Sequence, residues 1–292
     1  MRIWLILIAE LPCIVSLRPA IAWHADGHIK ATALAVDGVR DAMPAFFVQG
    51  EELVCHCSVD PDLFKLEVDS YALYQAESPE HYLDLEYVAD MDLPEGRQSF
   101  ISRCLSRGLW FAKVGTLPYA ASEWTYRLAI ALAEHRRWPE DRSIQTKCLV
   151  YAGILAHYAQ DMVMPLHCTI HYDGLAGPDG TRPHTGIHAM VDALIGKVDT
   201  GEISLLDSND LLPFDNVFQA CIEQIRLSNG LVDEVYQMAG QIPAEDEPLV
   251  GGSCVEAFAG QMLHNAAVFT ARLYLTAWHK SESIEIRSWH QR

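Results

Sequence analysis

The stretch 140–162 constrains the fold more than any other part of the chain. It reads EDRSIQTKCLVYAGILAHYAQDM, with acidic residues at its start and a long apolar face at helical spacing. A helix of this kind belongs inside a protein, yet it carries His157 and Asp161, four residues apart and so on one face. His167 follows just beyond Pro165. An interior helix with a histidine and a carboxylate side by side must meet other polar groups, or the cost of burying them goes unanswered.

The rest of the chain supplies further helices. Residues 27–40, 118–136, 185–198, 214–240 and 254–280 have helical apolar spacing, and Pro118 makes a good helix start. The Gly/Pro/Asp-rich segment 172–183 is a loop. No segment shows the alternating, β-branched runs of a sheet. The reading is one all-α domain, with no internal repeat, low-complexity tract or linker. At 292 residues it is long enough for a substantial core, and 50% hydrophobic with 21% charged residues is a globular balance rather than a disordered one.

The N-terminus reads as a secretory signal. An apolar run, IWLILIAELPCIV, follows Met1-Arg2 and leads to PAIA, where Ala20 and Ala22 form an A-x-A cleavage site. The run is too short for a membrane span and Glu10 interrupts it. The expected division is residues 1–22 as signal, cleaved after Ala22, and 23–292 as the mature domain, secreted or periplasmic, with no transmembrane segment and no protein partner evident. Cleavage leaves Cys55, Cys57, Cys104, Cys148, Cys168, Cys221 and Cys254, an odd number. Export permits disulfides, so one to three bridges and at least one free thiol are expected, with Cys55-His56-Cys57 read as disulfide-forming rather than metal-binding.

The net charge is −18 and there is no cluster of Lys and Arg to grip a phosphate backbone, so an anionic substrate would have to be held locally, by a few cations or by metal. His188 and Asp192 repeat the His-x-x-x-Asp spacing of His157 and Asp161. Two facing helices with such inward pairs are a way to build a metal site in a helical core, and imidazole with carboxylate suits zinc. Iron carboxylate bundles need Glu-x-x-His pairs, and none is apparent. Cleavage would add the free amine of Trp23, five residues before His28; an α-amine with pKa near 8 can be neutral and chelate a metal together with its own carbonyl.

WHADGH at 23–28, DLFK at 62–65, HYLD at 81–84, HYAQDMVMPLH at 157–167 and HAMVD at 188–192 occur in the order found in the S1/P1 nuclease and bacterial zinc phospholipase C superfamily, which the chain resembles over residues 23–192. The resemblance implies an all-helical fold around three Zn2+ ions. It implies Asp62, His81, His157 and Asp161 as ligands of one zinc, His167, His188 and Asp192 of a second, and Trp23, His28 and a bridging Asp161 of a third. Asp60, in the same turn, is the alternative to Asp62. Asp62 is preferred because it places Lys65 where the nucleases carry a basic residue beside the metal; the other reading of Lys65 is a solvated surface lysine. Tyr82 then corresponds to an aromatic that packs against a base and Asp84 to a carboxylate on its edge, while Asp26 can face a choline-like cation. His171, Asp173 and His184 are read as loop residues, able to fix ligand tautomers.

The implied activity is phosphodiester hydrolysis by metal-activated hydroxide, with Asp62 and Lys65 at the reacting centre. The step from Trp23 to His28, the DLFK segment and aspartate at 192 lean to a nuclease or 3'-nucleotidase acting on single-stranded nucleic acid or nucleotides. The loop before His188 lacks the Gly-Gly-Asn run of the fungal nucleases. The alternative is a phospholipase C acting on phosphatidylcholine-type lipid, and a second alternative is an exported zinc-binding protein without turnover.

Overall fold

The computed structural model describes residues 25–66, 71–175, 177, 179–202, 211–287 and 290. Trp23 and the signal segment lie outside them. The α-helices among the described residues are α1 (Ala25–Gly38), α2 (Ala45–Gln49), α3 (Glu51–Cys57), α4 (Asp60–Phe64), α5 (Tyr71–Glu77), α6 (Arg97–Ser106), α7 (Phe111–Val114), α8 (Leu117–Arg137), α9 (Arg142–Asp161), α10 (Ile187–Asp192), α11 (Val217–Asn229), α12 (Val232–Met238) and α13 (Cys254–Lys280). No strand occurs among the described residues; one isolated bridge joins Leu83 to Gly115. The fold is all-α, as the spacing predicts, and no described helix is long and apolar enough to cross a membrane.

Helix α9 is the axis of the molecule. Asp141 caps its start, its carboxylate accepting from the Ser143 amide at 2.8 Å, which satisfies a donor the helix leaves open. From Ile154 to Asp161 every residue is buried, because α3, α8, α13 and α1 surround this end. The approach to α3 is close: a Cβ on Gly153 would lie 2.5 Å from Cys57 Cβ and 2.6 Å from the Val54 carbonyl. Glycine is what lets the two backbones meet there. After Asp161 the chain turns through Met164, held extended before Pro165, into a 3-10 turn over Pro165–Cys168 that brings His167 back inward.

Two expected helices are shorter than their apolar pattern. The 185–198 segment forms only α10, which starts after Gly186 takes a left-handed φ of 93°, and a 3-10 turn at Ile195–Lys197. The 214–240 segment divides at Gly230, between α11 and α12. The disulfide expectation is corrected. All seven described cysteines are free thiols. Cys55 and Cys57, two apart on α3, point to different sides of the helix and cannot pair. Cys104, Cys148 and Cys221 are core residues on α6, α9 and α11.

Candidate metal centre

Eight described residues singled out in the sequence converge at the end of α9. Their donor atoms fall into three groups, each lying within 4.8 Å: His28, Asp62 and His157; His81, His157 and Asp161; and His167, His188 and Asp192. Helix α9 supplies His157 and Asp161, α1 supplies His28, α4 supplies Asp62 and α10 supplies His188 and Asp192. His81 ends the 3-10 turn Ser78–His81 and His167 lies in the turn after α9. Asp161 is central. Its two oxygens lie 3.0 Å from His81, 3.3 Å from His157, 3.5 Å from His167 and 3.7 Å from His28. His28 sits against Asp62 and His157 as well as Asp161, and its ring stacks on His157 with centroids 4.0 Å apart.

The outward nitrogens of four rings are taken by protein groups. His157 Nδ1 lies 2.8 Å from the Ser58 carbonyl and His167 Nδ1 2.7 Å from the His81 carbonyl. His28 Nδ1 is 2.6 Å from Gln160 Oε1, and His188 Nδ1 is 3.3 Å from the Tyr172 carbonyl. A ring that donates outward through Nδ1–H presents a bare Nε2 inward, the arrangement a metal ligand needs. His81 is turned the other way, with Nδ1 inside and Nε2 3.4 Å from Glu77, which also accepts from the Tyr158 hydroxyl.

The charges support each other. Burial alone would push Asp161 upward, but His157 and His167 hold its carboxyl well below the usual range. Asp192 follows the same balance, with burial opposed first by His188. His167 would be lowered by burial, yet Asp161 and Asp192 raise it to about 9. His28 goes down to about 3, through burial and then the neighbouring His157. Even so, Asp161 Oδ1, His167 Nε2 and both Asp192 oxygens are buried without a hydrogen-bond partner. Buried polar atoms left open are costly, and this concentration of inward N and O donors fits a cation site.

Asp62, rather than Asp60, faces the cluster; Asp60 lies beside the Cys57 thiol. Lys65 is mostly buried, with Nζ 2.7 Å from Asp62 Oδ1, which is the place at the metal group rather than in open solvent. Tyr82 gives its hydroxyl to the Ala112 carbonyl, so its ring face remains its means of contact with a ligand. Asp84 is buried; burial and then Glu86 push its carboxyl up to about 7, against Lys113 and Arg182. Asp26 is not brought to the cluster: it is exposed in the first turn of α1, two residues from His28 and so on another side of the helix. Asp173 accepts from the Gly186 amide at 2.6 Å and the His188 amide at 3.4 Å, fixing the start of α10. His171 lends its carbonyl to the Tyr236 hydroxyl, and His184 adopts a left-handed φ of 65°.

Sequence reasoning missed Glu77, Gln160 and Ser58. Glu77 stands four before His81, a usable signal, although the two residues belong to different turns. Ser58 acts through its carbonyl, which no side-chain pattern reveals.

No protein-family model and no curated protein matches the chain. Among solved structures the fold resembles the alpha toxin from Clostridium absonum, with a TM-score of 0.51 and 15% identity over 90% of this chain and 68% of that one. A Clostridium perfringens alpha-toxin from an avian strain gives a TM-score of 0.47 at 14% identity, over 90% of this chain and 67% of that one. At this identity the likeness is one of fold.

Proposed function

We propose that the chain is an exported zinc-dependent phosphodiesterase acting on phosphatidylcholine-type phospholipid. The observation that carries the reading is the buried convergence of His28, Asp62, His81, His157, Asp161, His167, His188 and Asp192, with several inward atoms open to a cation. Asp62, His81, His157 and Asp161 would hold one zinc and His167, His188 and Asp192 a second. Asp161, His28 and the amine of Trp23, freed by cleavage after Ala22, would hold a third. Bound zinc would supply a water acidified to near-neutral pKa and charge to stabilise the phosphoryl oxygens.

The chain's own residues do the rest. Asp161 faces four histidines and so ties the three groups into one centre. Lys65 steadies Asp62 and adds a fixed positive charge for a phosphate oxygen. Asp84, pushed up to about 7, can hold a proton at neutral pH and donate a hydrogen bond to substrate.

Two observations favour lipid. The fold resembles that of a clostridial alpha toxin, and the superfamily whose motifs the sequence resembles includes zinc phospholipases C. Helices α4 and α5, which bring Asp62 and Glu77 to the centre, also present Leu63, Phe64, Tyr71 and Leu73 to solvent, and Leu66 just after α4 is exposed as well. Apolar side chains grouped beside a charged centre suit a substrate whose phosphate sits at the edge of a hydrocarbon layer. The acidic surface, a poor one for a polyanion, is no obstacle to a zwitterionic lipid. The second reading, hydrolysis of single-stranded nucleic acid, is favoured by the Asp62–Lys65 pair, together with the Trp23–His28 step and Asp192.

Zinc-loaded protein beginning at Trp23 is to be assayed on phosphatidylcholine and on denatured DNA, with His157→Ala as the blank. Release of phosphocholine is expected. Release of nucleotides instead would transfer the assignment to the second reading, and hydrolysis of neither substrate at full zinc content would overturn both.

A further inference from the structure

Gln160 has no part in the ligand set, yet it is fully buried beside it, within the HYAQD stretch that carries His157 and Asp161. A buried primary amide has two donors and an acceptor to satisfy, so its presence in the fully buried end of α9 calls for partners. Both lie on α1. Oε1 is 2.6 Å from His28 Nδ1, and Nε2 is 2.9 Å from Thr32 Oγ1. Thr32, like His28, is fully buried and stands four residues after it, one turn along the same face. The two contacts set the amide with its NH2 toward Thr32 and its oxygen toward His28.

We infer that Gln160, oriented by Thr32, is a positioning residue for His28: it fixes the Nδ1–H tautomer and so keeps Nε2 bare toward Asp161. This deepens the metal-centre reading given above and rests on it for its consequence, though not for its geometry. His28 Nε2 already lies 3.7 Å from Asp161 Oδ1. The opposite amide orientation would place N–H against Nδ1 and leave the proton on Nε2, where it would block a metal. A neutral amide suits this position because it fixes the ring without adding another charge to a fully buried pocket.

Two kinds of measurement test the inference. The first is the nitrogen-15 spectrum of the histidines in the metal-free protein, with His28 assigned by its loss in His28→Ala. His28 is expected as the Nδ1–H tautomer in the wild type; an Nε2–H tautomer there would overturn the proposal without any variant being needed. The second compares Gln160→Met, which keeps the length but loses the acceptor, with Gln160→Glu, which keeps the acceptor. Gln160→Met is expected to lose the Nδ1–H signature and to bind one zinc per chain about 10- to 100-fold more weakly. Gln160→Glu is expected to retain both. A Gln160→Met protein with unchanged tautomer and zinc affinity would sink the idea, since packing alone would then explain the residue. A wild type with the expected tautomer but no affinity for zinc would remove the metal centre and leave the positioning of His28 intact.

Discussion

Single residues in the centre hold protons that a metal would have to displace. Asp161 and Asp192 raise His167 to about 9, and Asp161 and Asp62 raise His157 despite its burial. His167 is therefore protonated in metal-free protein at neutral pH, and its nitrogen must lose its proton before it can bind zinc. Zinc binding at pH 7 is expected to release protons, and the release should fade as the pH rises through about 9. Calorimetry of zinc binding in buffers of different ionisation enthalpy measures this, and a proton count of zero at pH 7 would contradict it. Asp84 runs in the opposite sense. Its folded-state pKa, pushed up to about 7 by burial and then by Glu86, lies above the unfolded value of 3.8. The folded state is therefore penalised as the pH rises from about 4, with the full penalty present above 7. Asp84→Asn is expected to stabilise the protein by about 2–4 kcal/mol at pH 8 and hardly at all near pH 4. Thermal unfolding at the two pH values checks this. If Asp84 contacts substrate, the same variant should lose activity as it gains stability, a trade found where an active site stores strain.

Elements set how exactly those residues meet, and the contact of α3 with α9 is the tightest example. Cys57, which a Cβ on Gly153 would strike, directly precedes Ser58, whose carbonyl holds His157 Nδ1. Gly153→Ala should therefore do two things at once. It is expected to cost about 1–3 kcal/mol through overpacking, and to weaken zinc binding by moving the Ser58 carbonyl. Gly260→Ala in α13, where an added Cβ meets nothing within 4 Å, should gain about 0.5–1 kcal/mol and leave zinc affinity alone. Chemical denaturation and zinc titration of the two variants separate these outcomes. Elements were also where the sequence was hardest to read. The long helices α8, α9 and α13 were legible because many turns of apolar spacing reinforce one another. Helices α2 to α5, each of seven residues or fewer, hold too few turns to show a period. The start of α10 depends on the φ of Gly186 and on the Asp173 side chain reaching its amide, neither of which periodicity encodes. Of the centre's residues, His157, Asp161, His188 and Asp192 were visible through their i, i+4 spacing, and His28, Asp62, His81 and His167 through the motifs that carry the family resemblance. Gln160 and Glu77 were not, because an amide or a carboxylate acquires its role only from the ring it faces.

Across the whole molecule the centre acts as a clamp between segments distant in the chain. Its described residues run from His28 to Asp192 and come from α1, α4, α9, α10 and two 3-10 turns, while α11 and α12 contribute none and α13 packs behind α1, α8 and α9. Without metal the clamp is held by histidine–aspartate pairs around Asp161 and Asp192, which offset part of the burial cost but leave several polar atoms without hydrogen bonds. Zinc that binds the folded chain and not the unfolded one stabilises it by about 4 kcal/mol at a thousandfold excess over Kd. Chelation is therefore expected to lower Tm by roughly 10 °C for a domain of this size. The loss should be local before it is global. Hydrogen exchange after chelation is expected to speed up in α4 and α10, short helices that each carry ligands of the centre, while the long, deeply packed α13 keeps its protection. Uniform loss of protection would mean that the centre is needed for the entire core. Unchanged Tm and exchange after zinc removal would mean that the His and Asp residues are self-sufficient as a hydrogen-bonded core, and the clamp would have no stabilising role.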